Sequence, residues 1–163
     1  MDRKKALKRI TQGLTGLTLA ALAPAATAAP KAGPQKIVVH LRNSEGENAL
    51  HAAMMGIGLA TALRQMGAQV TLMLDASAPN FAKIGWTGKE LAPAPAAATA
   101  AMPPMSLGAV LASFVKAGGR IRLCPHCSRM CGVMPGNVVP GAQIAGEGEL
   151  AQIVFDANKI LDY

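Results

Sequence analysis

Between residues 36 and 74 the chain runs strand, helix, strand in an order that leaves few folds open. Lys36-Ile37-Val38-Val39-His40-Leu41-Arg42 is an apolar, β-branched run without polar alternation, and it follows a Pro/Gly-rich stretch. A strand apolar on both faces is one buried on both faces, the situation of a parallel sheet covered by helices. Ser44-x-x-Glu47 has the form of a capping box. It opens a helix from about Glu47 to Met66, in which Leu50, Ala53, Met54, Ile57, Ala60 and Leu63 recur at close to i, i+3, i+4, i+7, with Gly67 as the stop. Ala68 to Leu74 is the second strand, and a connection of this length makes a right-handed β-α-β unit.

The rhythm breaks between residues 76 and 105. Pro79 to Ile84 suits one short helical turn, while Leu91 to Met105 is low in complexity and carries prolines that exclude a continuous helix. This is a Pro/Ala-rich insertion at about 85–105, with Trp86 anchoring it by burial and Met102 and Met105 available as thioether or apolar contacts. Ser106 caps the next helix, whose Leu107, Val110, Leu111 and Phe114 form one apolar stripe ending at Gly118-Gly119. Arg120 to Leu123 is a short strand, Ala142 to Ile144 another. A helix from about Glu147 to Ala157, carrying Leu150, Ile153 and Val154, precedes a last strand, Lys159 to Leu161. Met54, Met66 and Met73 fall where core packing accounts for them. The result is an α/β domain over residues 36–163: a small five-stranded, mainly parallel sheet flanked by three or four helices.

Ahead of the domain, Arg3, Lys4, Lys5, Lys8 and Arg9 form a basic segment, Ile10 to Ala23 is largely apolar, and Ala26-Thr27-Ala28 is an A-x-A site. This is the pattern of a secretory signal peptide over residues 1–28, cleaved after Ala28, with 29–35 as a flexible stub and the periplasm as destination. The apolar run is too short to span a bilayer, so no membrane span remains after cleavage. Of 16 basic and 9 acidic residues, the leader takes five and one, leaving a mature charge of only +3. With scattered charge and five aromatic residues, nucleic-acid binding has no basis in the mature chain.

All three cysteines lie within Cys124-Pro125-His126-Cys127-Ser128-Arg129-Met130-Cys131. Spacings this short close only tiny loops, so C-x2-C-x3-C suits redox exchange, sulfur transfer or metal binding better than architecture. The segment follows the strand Arg120–Leu123, and catalytic groups in open α/β sheets collect at that carboxyl edge. If a helix starts at about Pro125, Cys127 sits in its first turn. The helix dipole, with His126, Arg129, Arg120 and Arg122, then favours the thiolate of Cys127. Cys131 shares its face at i, i+4, and Cys124 is close enough to resolve a mixed disulfide or persulfide. The rival chemistry needs no thiolate nucleophile: Cys124, Cys127 and Cys131, with nearby His and Met, are soft ligands suited to Cu(I) and less well to zinc.

The order of elements, the opening Lys36 to Leu74, the cysteines after a late strand and the closing helix and strand at 147–161 together resemble the DsrE/DsrF-like family. The resemblance covers roughly residues 36–163. It implies a small α/β protein with flavodoxin-like layering, often homo-oligomeric, that carries sulfur as a cysteine persulfide between a protein donor and a protein acceptor. It places Cys124 or Cys127 where such proteins hold the sulfur-carrying cysteine. Three clustered cysteines and a signal peptide set this chain apart from the cytoplasmic members. The expectation is thus a periplasmic sulfur relay, a sulfurtransferase-type carrier without a resident cofactor, with Cys127, Cys124, Cys131 and His126 at its centre.

Cys-Pro-His-Cys also resembles the active-site tetrapeptide of secreted disulfide oxidases of the thioredoxin superfamily. That fold requires a long α/β segment after the motif, and only 32 residues follow Cys131; thiol-disulfide exchange on another fold stays open. There is no G-x-G-x-x-G after a strand, no P-loop and no G-x-S-x-G. His40 and His51 read as core or surface histidines, Glu45 and Glu47 as a solvated turn and a cap, and Pro135-Gly136-Asn137 and Pro140-Gly141 as turns.

Overall fold

The computed structural model describes residues 33–46, 48–86 and 106–163. The expected leader, its cleavage site and most of the Pro/Ala-rich insertion, with Met102 and Met105, lie outside them, as does Glu47. Five strands form one sheet: β1 (Lys36–Leu41), β2 (Gln69–Leu74), β3 (Arg120–Leu123), β4 (Ala142–Ile144) and β5 (Lys159–Asp162), in the order β4-β3-β2-β1-β5. Every pairing is parallel. The helices are α1 (Ala49–Gln65), α2 (Leu107–Lys116), α3 (Pro125–Met130) and α4 (Glu149–Asp156), with 3₁₀ turns at Ala78–Ala82 and Pro135–Asn137. Among the described residues no helix is long and apolar enough to cross a membrane.

The continuous apolar character of the central strands has the cause expected of it. Ile37, Val38 and Val39 on β1 and Val70 to Leu74 on β2 are all buried, because both strands are interior to the sheet and covered on both sides. Ile37, Val39, Leu41, Val70, Leu72, Leu74, Ile121 and Leu123 face α1 and α2, joining Ala53, Ile57, Ala60, Val110, Leu111 and Phe114 in the main core. Gly119 lets the backbone pass under the Phe114 ring, which an added Cβ would overlap. The edge strands are short and polar at the rim, as strands open to further pairing usually are.

Two local expectations change. Ser44 does not cap α1: Gly46, at φ +98°, turns the chain between Ser44 and the helix, so Asn48 becomes the N-cap. Ser44 instead ties two loops together, its N–H donating to Ser77 Oγ at 2.8 Å and its Oγ accepting from Asn80 Nδ2 at 3.2 Å. Met66, expected in the core, is 82% exposed, since it caps α1 beyond the last inward turn. The Ser106 cap forms as expected, accepting from Ala109 N–H at 3.2 Å. Trp86 is half-buried, edge-on to Phe81 with centroids 5.1 Å apart.

The second face of the sheet, carrying Val38, Thr71, Met73 and Arg122, is crossed by α4 on its way from β4 to β5. Arg122 Nε donates to Glu149 Oε1 of α4 at 2.6 Å, which fixes that layer. The chain therefore leaves β3 toward the α1/α2 side, where Val133 enters the main core, and leaves β4 toward the other. Adjacent strands whose connections part in this way favour functional groups at their carboxyl ends, and Cys124 directly follows β3 at that edge.

Candidate functional site

Cys124 follows the last residue of β3, its N–H donating to Leu74 O at 2.9 Å. It is also the N-cap of α3: its Sγ accepts from Cys127 N–H at 3.5 Å, a sulfur doing weakly what a serine oxygen does at a cap. Pro125 takes the first helical position, where a missing N–H costs nothing. Cys127 stands in the third position of α3, and Cys131 closes the helix as its C-cap. All three thiols are free and half-buried. The sequence places this trio correctly relative to β3 and α3.

What faces the thiols is less legible. After β2 the chain turns through Asp75-Ala76-Ser77, with Ala76 in the left-handed region at φ +48°, a conformation that disfavours any side chain. The Cys131 thiol donates to Ala76 O at 3.6 Å and also lies 3.9 Å from Ser77 O. Lys83 Nζ donates to Cys131 O at 3.3 Å. The stretch carrying Lys83 is joined to the segment after the cysteines by a bridge between Lys83 and Val138 and by Ile84 N–H donating to Asn137 O at 2.7 Å. Ser128, between the thiols in sequence, is fully buried, and among the described residues its Oγ has no hydrogen-bond partner.

The electrostatics reverse one expectation. The Cys127 thiol is not favoured as thiolate but pushed up to about 11, first by burial, then by its hydrogen bond with Cys124; the Ala76 backbone pulls it down, and the charges of Cys124 and Asp75 raise it further. A six-residue helix offers too little dipole to offset this. Cys131 is also raised, by burial and then by Glu45, while Lys83 lowers it. The cations expected to act are elsewhere or outward: Arg120 and Arg122 lie on the second face near Glu149, while His126 and Arg129 are exposed on α3. The cation beside a thiol is Lys83. Among the described residues no group of three or more His, Cys, Asp or Glu side chains is arranged to hold a metal ion.

His40 is neither a plain core nor a plain surface histidine. At the end of β1 its Nδ1 hydrogen-bonds Asp162 Oδ1 at 2.7 Å, and its Nε2 lies 2.9 Å from Asp75 Oδ2. On the other side of β1, a shallow cleft of about 380 Å³ is lined by Asn43, Glu45, Asn48 and Tyr163 among others. His51 is exposed on α1.

No family model matches the sequence, and no curated protein matches it. Solved structures do match. The ychN protein of E. coli superposes with a TM-score of 0.60 at 23% identity, over 79% of this chain and 99% of that one. The protein of unknown function MTH1491 from Methanobacterium thermoautotrophicum gives 0.55 at 11% identity, again over 79% and 99%. At these identities the likeness concerns the backbone, and both neighbours have the DsrE/DsrF-like fold. The chain is therefore an α/β protein of DsrE/DsrF-like fold, with its cysteines at the carboxyl edge of a five-stranded parallel sheet.

Proposed function

We propose that this protein relays sulfur in the periplasm, with Cys127 as carrier and Cys124 as the thiol that resolves it. The observation that carries the reading is the seating of Cys124 and Cys127 together, one capping the helix that bears the other, at the carboxyl edge of the sheet. A donor persulfide, R-S-SH, gives its outer sulfur to the Cys127 thiol, leaving R-SH and Cys127-S-SH. Handing that sulfur to an acceptor thiol regenerates Cys127-SH, so no net oxidant is needed. Attack by Cys124 on the persulfide would expel hydrosulfide and leave a Cys124–Cys127 disulfide.

The raised Cys127 thiol supports a carrier that waits for a protein donor and acceptor over one that turns over small molecules by itself. At neutral pH it is overwhelmingly protonated, so reaction needs a partner whose approach changes its surroundings. Cys131, hydrogen-bonded to the Ala76 carbonyl, is the reserve thiol, and His126, exposed beside Cys127, is the residue a partner would meet. A homo-oligomer would cover the exposed α4 face.

Intact-mass analysis of protein exported with its leader, before and after mild reduction, tests the reading. A reducible gain of one sulfur atom is expected in the wild type and none in Cys127→Ser. Full sulfur loading in Cys127→Ser overturns the carrier assignment. A bound copper or zinc ion in the native spectrum, lost when Cys124 and Cys131 are replaced together, would put the metal reading in its place.

A further inference from the structure

The turn that follows β2 satisfies all of its backbone N–H groups but one. Asp75 N–H donates to Leu41 O at 3.1 Å, Ser77 N–H to Arg42 O at 3.1 Å, and Ala78 N–H lies 3.2 Å from Arg42 O and 2.9 Å from Asp75 O. Ala76 N–H has no oxygen acceptor among the described residues. Ala76 is also, among those residues, the one other than glycine at positive φ. A strained conformation persists only where its surroundings hold it, and such outliers gather at functional sites. Here Ser44 N–H holds Ser77 Oγ at 2.8 Å, and Arg42 O takes the two N–H groups that follow Ala76.

Both polar groups of Ala76 face sulfur. Its carbonyl accepts from the Cys131 thiol at 3.6 Å, with Ser77 O 3.9 Å from the same sulfur. Its backbone also hydrogen-bonds the Cys127 sulfur, in the sense that favours the thiolate. A carbonyl cannot favour an anion and an N–H can, so the group facing Cys127 is the N–H that the turn leaves over. Of the groups that act on Cys127, it alone favours the charged form, against burial, Cys124 and Asp75. Two thiols about one helical turn apart thus meet the same residue through opposite chemistry. Cys131 meets an acceptor that suits its S–H, and Cys127 a donor that suits its anion.

We propose that Ala76 selects which thiol the site uses: its N–H holds the negative charge of the Cys127 sulfur whenever that thiol ionises, and its carbonyl keeps Cys131 protonated. This deepens the relay reading and rests on Cys127 being the carrier. The left-handed backbone at 76 is then a working part of the site, since it presents the donor to one cysteine and the acceptor to the other.

The test is the rate of alkylation of fully reduced protein by iodoacetamide at neutral pH, with each cysteine resolved by peptide mass. Replacing Ala76 by lactate, its α-hydroxy counterpart, turns the amide N–H into an ester oxygen and keeps the methyl group and the carbonyl. Cys127 should then react more slowly than in the unmodified protein by about threefold or more, the effect of half a unit in thiol pKa, while Cys131 keeps its rate. Ala76→Gly retains the N–H and adopts positive φ freely, so Cys127 should keep its rate there. A Cys127 rate that is unchanged or raised by lactate, or Cys127 and Cys131 slowing together, overturns the proposal, because a loop that merely packs on α3 treats both thiols alike. Equal slowing of Cys127 in Ala76→Gly is as damaging. Should the lactate chain fail to fold, Ala76→Val, whose branched side chain disfavours positive φ, withdraws donor and acceptor together. Cys127 should then slow and Cys131 speed up, and the two moving the same way rejects the assignment. Alkylation needs no sulfur donor, so failure of sulfur loading leaves this result readable by itself.

Discussion

The two faces of the sheet are built to different standards. Under α1 and α2, Val39, Leu72, Leu74, Ile121, Leu123, Ile57, Ala60 and Phe114 are completely buried. On the other face α4 buries none of its residues, and Phe155 is 85% exposed beside exposed Val154 and Ile160. The first face holds the fold. The second carries the groups with chemistry at its upper edge, His40, Asp75 and Cys124, and an apolar strip that nothing among the described residues covers. The division is incomplete, because after β3 the chain turns to the first side and Cys131 packs against its core.

Phe114→Ala should show that division most strongly. The ring is fully buried and packs over Gly119, so about 3–5 kcal/mol of stability should go in urea denaturation. A loss below about 1 kcal/mol would mean that the main core is not where the fold is held. Gly119→Ala attacks the same contact from the backbone side. Its new methyl would overlap the Phe114 ring, costing about 1–3 kcal/mol through overpacking.

The first face was readable because its signals are local. The β-branched run at 36–41, the spacing of Val110, Leu111 and Phe114, and the glycines at 67 and 118, both at positive φ, set strand, stripe and stop within a few residues of one another. The cysteine trio was readable for the same reason, since strand end, cap and first turn are contiguous. Its surroundings were not. Ala76 and Cys131 are 55 residues apart, and their contact exists because β2 and β3 pair. Likewise His40 acquires Asp162 only through the β1–β5 pairing, 122 residues away. The arginines close to the cysteines in sequence do not act on the thiols: Arg122 is engaged by Glu149, and no arginine is among the groups that shift Cys127 or Cys131. Lys83, which no sequence signal singled out, came next to Cys131 through the bridge to Val138.

The thiols give the next, smaller effect, one that depends on pH. Cys127 and Cys131 both have folded values above the ordinary thiol, so the stability tied to their protonated forms is complete below the unfolded thiol value and is lost as pH rises from about 8.5–9 toward 11. The thermal midpoint should fall over that window in the wild type and fall less in Cys127→Ser. An identical fall in both would show that the site's burial does not act on its sulfur. Glu149 has the opposite sign. Its carboxyl is held low by the Gly146 N–H and then by Arg122, so its contribution is present above the ordinary carboxylate value and disappears as pH falls through the folded one. Glu149→Gln should cost below about 1 kcal/mol at neutral pH, the size of a partly exposed pair, and flatten the acid side of the stability profile.

The smallest expected effect probes the contrast between faces most directly. Phe155→Ser removes a large apolar side chain that is 85% exposed in the single chain, so its removal forfeits almost no buried area. Denaturation of dilute protein should move by less than about 0.5 kcal/mol. A loss of about 2 kcal/mol or more that also grows with protein concentration would mean that the α4 face is buried after all, against a second copy of the chain, because only association makes stability depend on concentration. The second face would then be an interface with His40, Asp75 and Cys124 at its rim, and the division of labour drawn here would belong to the assembly instead of the single chain.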